Sequence, residues 1–317
     1  MQYQNRNAKA YSQLFIKGMA MGAADVVPGV SGGTIAFITG IYDELLHSLQ
    51  QLNPKALLVL KEQGFAAAWR YINGGFLLAV FGGILLSLKT FAEIITLALG
   101  AYPILVWSFF FGLILASVVY FAKQQTGWGW RHWLSCLLGA AFVFGVSMLA
   151  PAQLPGAWWM LFIGGFIAIC AMILPGISGS FLLLLMGLYP VFLQALSDLD
   201  IVALASFGAG CVCGLLSFSR LLAWLLDHYH KVTLAVLIGF LVGSMNVTWP
   251  WKQVLTTTVD RHGEVIPLVQ KNVLPGQFEA ISGQDAMLIW AVAFFVLGAL
   301  LVLLTEFVAG NNRNDGN

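Results

Sequence analysis

The chain has 317 residues; 59% are hydrophobic, 9% are charged, and the formal net charge is +1 with a mean hydropathy of +0.85. A soluble domain of this length needs far more charge on its surface, and the apolar runs are too long and continuous for an outer-membrane barrel. The composition therefore predicts an all-α polytopic membrane protein and gives no sign of a nucleic-acid partner.

In chain order, the apolar run after Ser12 is interrupted by Lys17 and Gly18, so no cleavable signal is expected. Residues 14–49 form the first of two apolar regions split by a Pro-Gly-X-Ser-Gly element, here Pro28 to Gly32. The stretch "NPKALLVLKEQGFAAAWRY" follows, with Asn53 placed to cap a helix and Pro54 at its first turn. Its Lys, Arg, Trp and Leu mixture suggests a segment, 53–73, lying on the membrane surface. Spans are predicted at Phe76–Leu99, Tyr102–Ala122 and Trp133–Ala150. Residues 158–196 are the second split region, broken at Pro175 to Gly179. Further spans are predicted at Ile201–Leu226, Val232–Trp249 and Ala286–Val308, with a loop of mixed charge at 250–285. Cys136, Cys170, Cys211 and Cys213 all lie in apolar runs and read as packing residues, and no metal-ligand spacing is present.

The two split regions are copies. Pro28, Gly29, Ser31, Gly32, Gly40 and Tyr42 recur 147 residues later as Pro175, Gly176, Ser178, Gly179, Gly187 and Tyr189. Downstream the offset is 127: Gly83, Leu88, Phe91, Tyr102, Gly112 and Ser117 match Gly210, Leu215, Phe218, Tyr229, Gly239 and Ser244. The surface segment of the first copy accounts for the change in offset. Lys and Arg decide how the copies are oriented. If each split region dips in and returns, and the N-terminus is cytoplasmic, the cytoplasm receives Arg6, Lys9, Lys17, Lys55, Lys61, Arg70, Lys123, Arg131, Lys231 and Arg313. The outside then receives only Lys252, Arg261 and Lys271. If each region crossed, the split would be five inside and eight outside, so the positive-inside rule favours re-entrant hairpins. Three spans then separate the two hairpins, which makes the copies inverted. The expected units are 1–150 and 151–317, each a re-entrant hairpin plus three spanning helices, with both termini cytoplasmic and 250–285 outside.

Irregular backbone inside a bilayer costs several kcal/mol per unpaired group unless protein or water satisfies it. Two breaks imply a use. A half-helix restarting near Ser31 and another near Ser178 would present free N–H groups and positive dipole ends. The hydroxyls of Ser31, Thr34, Ser178 and Ser180 can add donors, and Gly29, Gly32, Gly33, Gly176 and Gly179 leave room for a ligand. Two such tips meeting at mid-membrane make an anion site of the kind found in secondary transporters. The plainer reading is that Pro-Gly only makes tight turns and the glycines serve helix packing. Charges within the apolar runs add candidates. Arg220 and Lys89 could grip an anionic headgroup, Arg with a fork suited to phosphate. Asp25 and Glu93 could titrate and couple transport to protons or sodium. Each could instead be one half of an internal pair that stabilises the bundle.

"GAADVVPGVSGGTIAFITGIYDELL" together with "ILPGISGSFLLLLMGLYPVFLQAL" resembles the bacterial undecaprenyl phosphate translocase family, the PopT-type proteins. The resemblance covers nearly the whole chain. It implies a multi-pass carrier of the bacterial cytoplasmic membrane that returns undecaprenyl phosphate from the outer to the inner leaflet for reuse in peptidoglycan and other envelope polymers. The lipid phosphate and membrane lipids would be its partners, with an oligomer possible, and no cofactor. Two rivals stand beside it. A transporter or channel for small anions could use the same dipole site. A membrane phosphatase would need a Pro-Ser-Gly-His element and a His six residues after Arg220, where Leu226 stands, so an enzyme is not expected.

Overall fold

The computed structural model describes residues 6–27, 30–149, 151–152, 154–259 and 265–314, with the backbone alone at 92, 257–259, 265–269 and 305–314. Pro28 and Gly29 of the first motif, Ala150 and Arg261 lie outside the described residues, as does the Arg313 side chain.

The first split region forms three helices, α1 (Ala8–Val26), α2 (Gly32–Ile38) and α3 (Tyr42–Gln50). α2 runs back along α1: Gly32 meets Asp25 at one end and Thr39 meets Lys17 at the other. An isolated helix of seven residues is not stable, because nucleation costs more than so few bonds return. α1 stabilises α2 by charge at both ends. The Asp25 carboxylate accepts from Gly32 N–H at 2.6 Å, and Lys17 Nζ donates to the Thr39 carbonyl at 2.7 Å. An anion thus sits at the positive end of the dipole and a cation at the negative end, each worth about 0.3–1 kcal/mol or more when partly buried. Arg6 forms a two-pronged pair with Glu44 at 2.8 and 2.6 Å, and Asn73 donates to Glu44 at 2.8 Å. These bonds tie the start of the chain, the end of the split region and the next long helix to one another. The start of the chain and the end of this region therefore lie together.

The surface segment becomes α4 (Pro54–Gln63) and α5 (Phe65–Tyr71). Asn53 caps α4 as expected, its Oδ1 accepting from Lys55 N–H at 2.9 Å with Pro54 in the first turn. The long helices are α6 (Gly74–Ala101), α7 (Pro103–Gln124) and α8 (Trp130–Ser147). The second split region gives α9 (Trp158–Ile173), α10 (Gly179–Leu185) and α11 (Tyr189–Ser197), with a bend of 104° between α10 and α11. α10 doubles back on α9, since Gly179 lies against Ala168 and Met172, and Gly164 against Leu183 and Leu188. α12 (Ile201–Thr248) has 48 residues, about 72 Å at about 1.5 Å per residue, which is enough for two crossings of a hydrocarbon core about 30 Å thick. Its backbone leaves the helical region at Tyr229, at the boundary expected between two spans. The loop holds an antiparallel ribbon, β1 (Lys252–Val259) and β2 (Val265–Asn272), then α13 (Pro275–Ser282), and α14 (Leu288–Asn314) ends the described chain. α6, α7 and α12 are each long and apolar enough to cross a membrane.

The sequence offsets recur as geometry. Tyr102, between α6 and α7, has φ −138° and ψ 56°; Tyr229, 127 residues later, has φ −130° and ψ 41°. Gly40 and Gly187 share φ of +70°, and the hydrogen bonds around them match: Ile41 N–H to the Ala36 carbonyl, Leu188 N–H to the Leu183 carbonyl. Both positions need the left-handed conformation that glycine adopts without strain.

Helix crossings repeat in the same way. Gly18 on α1 sits on the carbonyl of Val80, and Gly83 on α6 sits on that of Phe15. At the matching positions Gly165 on α9 sits on Phe207, and Gly210 on α12 sits on Phe162. Gly112 and Gly298 seat α7 against α14 through Phe295 and Phe109, while Gly239 and Gly139 seat α12 against α8 through Cys136 and Val236. At each crossing a Cβ would strike a backbone oxygen. Such close approach is how helices associate where lipid is as apolar as the side chains.

Candidate functional site

The two breaks meet. Ser31 Oγ–H donates to the Met172 carbonyl at 2.7 Å, and Tyr42 O–H donates to the Ile173 carbonyl at 3.0 Å. Gly176 N–H donates to Thr34 Oγ1 at 2.9 Å. The last carbonyls of α9 have no helical partner of their own, and residues of the first hairpin fill that need. Ser31, Thr34 and Tyr42 are fully or almost fully buried, so these bonds form inside the protein. The sequence did place helix starts at Ser31 and Ser178, and both are N-caps in the structure.

The two helix starts differ in what their donors do. On α2, Gly32 N–H is taken by Asp25 and Gly33 N–H by Ser31 Oγ at 3.0 Å. On α10, Phe181 N–H reaches Ser178 Oγ at a long 3.5 Å, and Ser178 Oγ lies 2.9 Å from Ser180 Oγ. Gly179 N–H and Ser180 N–H have no acceptor among the described residues. The residue matching Asp25 is Met172. Its Cγ lies over Gly179 as the Asp25 carboxylate lies over Gly32. A methionine side chain cannot neutralise a helix dipole, so α10 keeps its positive end.

Four of the glycines expected to leave room for a ligand are covered by the protein, Gly29 lying outside the described residues. Gly33 lies under the carbonyls of Met172 and Ile173, Gly32 under Asp25, and Gly179 under the Ala168 carbonyl. Gly176, with φ of +87°, faces the Phe240 carbonyl of α12. Gly33, Gly176 and Gly179 let backbone approach backbone, as the packing reading of these motifs expects, and Gly32 admits the Asp25 carboxylate.

The charged candidates are not brought together. Arg220 donates to the Leu52 carbonyl at 3.3 Å, just beyond α3, and not to either break. About two turns further along α12, Asp227 meets His47 of α3 at 3.2 Å. Lys89 and Glu93 are exposed on α6, with no ion-pair partner among the described residues. Nothing in the spacing of those residues told which face of α6 they occupy. Tyr42 and Met172 were missed as site residues; the recurrence of Tyr42 as Tyr189 was the available signal for the first. α3 packs against α12, whereas its counterpart α11 makes no comparable contact with α6.

Residues 21–266 match the model of a family described as undecaprenyl phosphate translocase-like. The chain is 48% identical over 296 residues to a polyprenyl-phosphate transporter of Vibrio cholerae, covering 93% of this chain and 96% of the relative. It is 31% identical over 253 residues to a polyprenyl-phosphate transporter of Staphylococcus aureus, covering 74% and 85%. No solved structure matches the chain. With the family model covering most of its length and a relative this similar end to end, the chain is a multi-pass membrane protein belonging to the undecaprenyl phosphate translocase-like family.

Proposed function

We propose that the protein carries polyprenyl phosphate, undecaprenyl phosphate in particular, from the outer to the inner leaflet of the bacterial cytoplasmic membrane. The observation that carries the reading is the meeting of the two broken helices, with the N-terminal donors of α10 left unclaimed beside Ser178 and Ser180. Backbone donors at a helix start suit a phosphate, and the printed names of the relatives supply the lipid. On this reading the chain is two inverted units, 1–150 and 151–317, with cytoplasmic termini and residues 250–285 outside.

Asp25 has a part in the cycle. Its carboxylate stands at the α2 start where a second phosphate contact would form. A proton or a sodium ion on Asp25 would withdraw that charge and hand the α2 donors to the substrate, which couples an ion to the headgroup. Arg220 serves the cycle from a distance by holding α12 to the end of the first hairpin, through the contact that α11 and α6 lack. Lys89 and Glu93, exposed on α6, stand outside the headgroup site.

Leaflet-resolved uptake of labelled undecaprenyl phosphate in proteoliposomes tests the function. Uptake that depends on the protein is the expected result. Chloride or inorganic phosphate flux without lipid movement would replace this reading with a small-anion transporter.

A further inference from the structure

The insertion between α12 and α14 folds over the turn between α6 and α7. Between them lies a cavity of about 620 Å³, well within the range of about 300–1,000 Å³ typical of small-molecule sites. One wall carries Tyr102, Ile104 and Trp107; the other carries Lys252 and Val254 of β1 and Phe278 of α13. The lining is mostly apolar, with a single cation. The Lys252 ammonium lies 4.3 Å from the centre of the Trp107 ring and donates to the Val247 carbonyl at the end of α12. That carbonyl is its only oxygen partner among the described residues, and no carboxylate lies within ion-pair distance of it. The acid on the cavity wall, Asp285, lies beyond ion-pair distance of Lys252, and its Oδ1 accepts from Met287 N–H at 2.8 Å, at the start of α14.

We propose that this cavity docks the phosphate end of an amphiphile, with Lys252 pairing the phosphate and the Tyr102, Ile104 and Phe278 walls covering the first carbons of its chain. A largely apolar cleft whose one cation has no carboxylate within ion-pair distance among the described residues suits an anion with an apolar chain better than a neutral solute or a free cation. Burial lowers the pKa of Lys252 to about 8, so the ammonium is less well solvated than a free lysine and an arriving anion would offset that desolvation. The aromatic ring behind the ammonium holds the cation in place without neutralising it. Given lipid-phosphate transport with 250–285 outside, the cavity is the loading station of the outer leaflet, upstream of the broken helices.

The test uses the whole protein in nanodiscs. Tryptophan emission, referenced to Trp107→Phe, follows titration with geranyl phosphate and, separately, inorganic phosphate. Geranyl phosphate should bind, and Lys252→Gln should weaken it at least about tenfold while Lys252→Arg stays within about threefold. Because Lys252 also serves the end of α12, Val254→Trp is the second variant: it fills the cavity from an exposed strand position and leaves the lysine intact. It should exclude geranyl phosphate with the melting temperature unchanged. Equal affinity of wild type, Lys252→Gln and Val254→Trp overturns the proposal. Inorganic phosphate binding as tightly as geranyl phosphate overturns the amphiphile assignment. In proteoliposomes Lys252→Gln should raise the KM for lipid phosphate more than it lowers the maximal rate. A wild type that binds geranyl phosphate in the cavity but moves no lipid would refute the transport reading and leave the docking site standing.

Discussion

The two hairpins share a backbone and differ in charge. Each is a long helix, a break, a seven-residue helix capped by serine, and a glycine turn with φ of +70°. The first places Asp25 and Lys17 at the two ends of its short helix; the matching positions in the second are Met172 and Gly164. In the first, Thr34 and Tyr42 reach across to the other break; in the second, position 181 is phenylalanine, which has no hydroxyl to accept such a bond. The first hairpin is therefore internally neutralised and tied down. The second ends in unclaimed donors. On the proposed reading, duplicated backbone lets one copy supply the anchor and the other the ligand-facing end.

The strongest way to break this contrast is to give the second hairpin the cap of the first. Met172→Asp puts a carboxylate over Gly179 where a half-exposed methionine stands. The α10 donors would hold it, so the protein should fold and accumulate. Binding of lipid phosphate should fall at least about a hundredfold, since an internal anion at contact distance competes with the headgroup. Normal uptake per folded molecule would show that the α10 start does not hold the phosphate.

A smaller effect separates the two glycines. A side chain at Gly179 meets a backbone carbonyl, Ala168, whereas one at Gly32 meets a carboxylate that can swing aside. Gly179→Val should cost about 3 kcal/mol of stability, as overpacking against backbone does, and Gly32→Val about 1 kcal/mol, the bond that the displaced carboxylate gives up. Thermal unfolding of the two purified variants gives the order. If Gly32→Val is the less stable, Asp25 is held more rigidly than the single bond to Gly32 implies.

Asp25→Ala removes a short charge-assisted bond and leaves a buried N–H without its acceptor, at a cost of about 1–3 kcal/mol. It also exposes the dipole of α2. Static binding of lipid phosphate should rise while uptake loses its dependence on proton or sodium gradients. Gradient-dependent uptake that survives in Asp25→Ala would remove Asp25 from coupling.

The long apolar helices α6, α7 and α12, the two breaks, the capping serines and the helix at Pro54–Gln63 were legible because each has a local cause: apolar length, Pro-Gly, a capping side chain before a helix. The β ribbon was not. The loop that holds it is charged and interrupted, and the alternation along Lys252–Val259 is weak. Nor was the facing of Lys89 and Glu93 legible, because an apolar helix with little asymmetry offers no preferred side. Lys252 counted only as one charge among three outside; its burial against Trp107 depends on packing between elements 145 residues apart. Local chemistry reads from sequence, and the partner across the fold does not.

The smallest expected difference is between the two capping serines, and it separates a structural cap from a ligand-facing one. Ser31 accepts from Gly33 N–H at 3.0 Å and donates to the Met172 carbonyl at 2.7 Å, fully buried. Ser31→Ala leaves one donor and one carbonyl unmet and should cost about 1–2 kcal/mol. Ser178 makes only a long cap at 3.5 Å and a contact with Ser180. Ser178→Ala should cost no more than about 0.5 kcal/mol of stability, at the low end for a lost cap. Its effect should appear in binding instead, as a several-fold weaker grip on the lipid phosphate, because the hydroxyl beside the unclaimed α10 donors is lost to the headgroup. Ser31→Ala should show the opposite profile: lower melting temperature, near-normal affinity in the molecules that remain folded. Melting and binding measured on the same two preparations decide it. If Ser178→Ala loses stability and keeps affinity, the second hairpin is another anchor, and the asymmetry between the two does not locate the site.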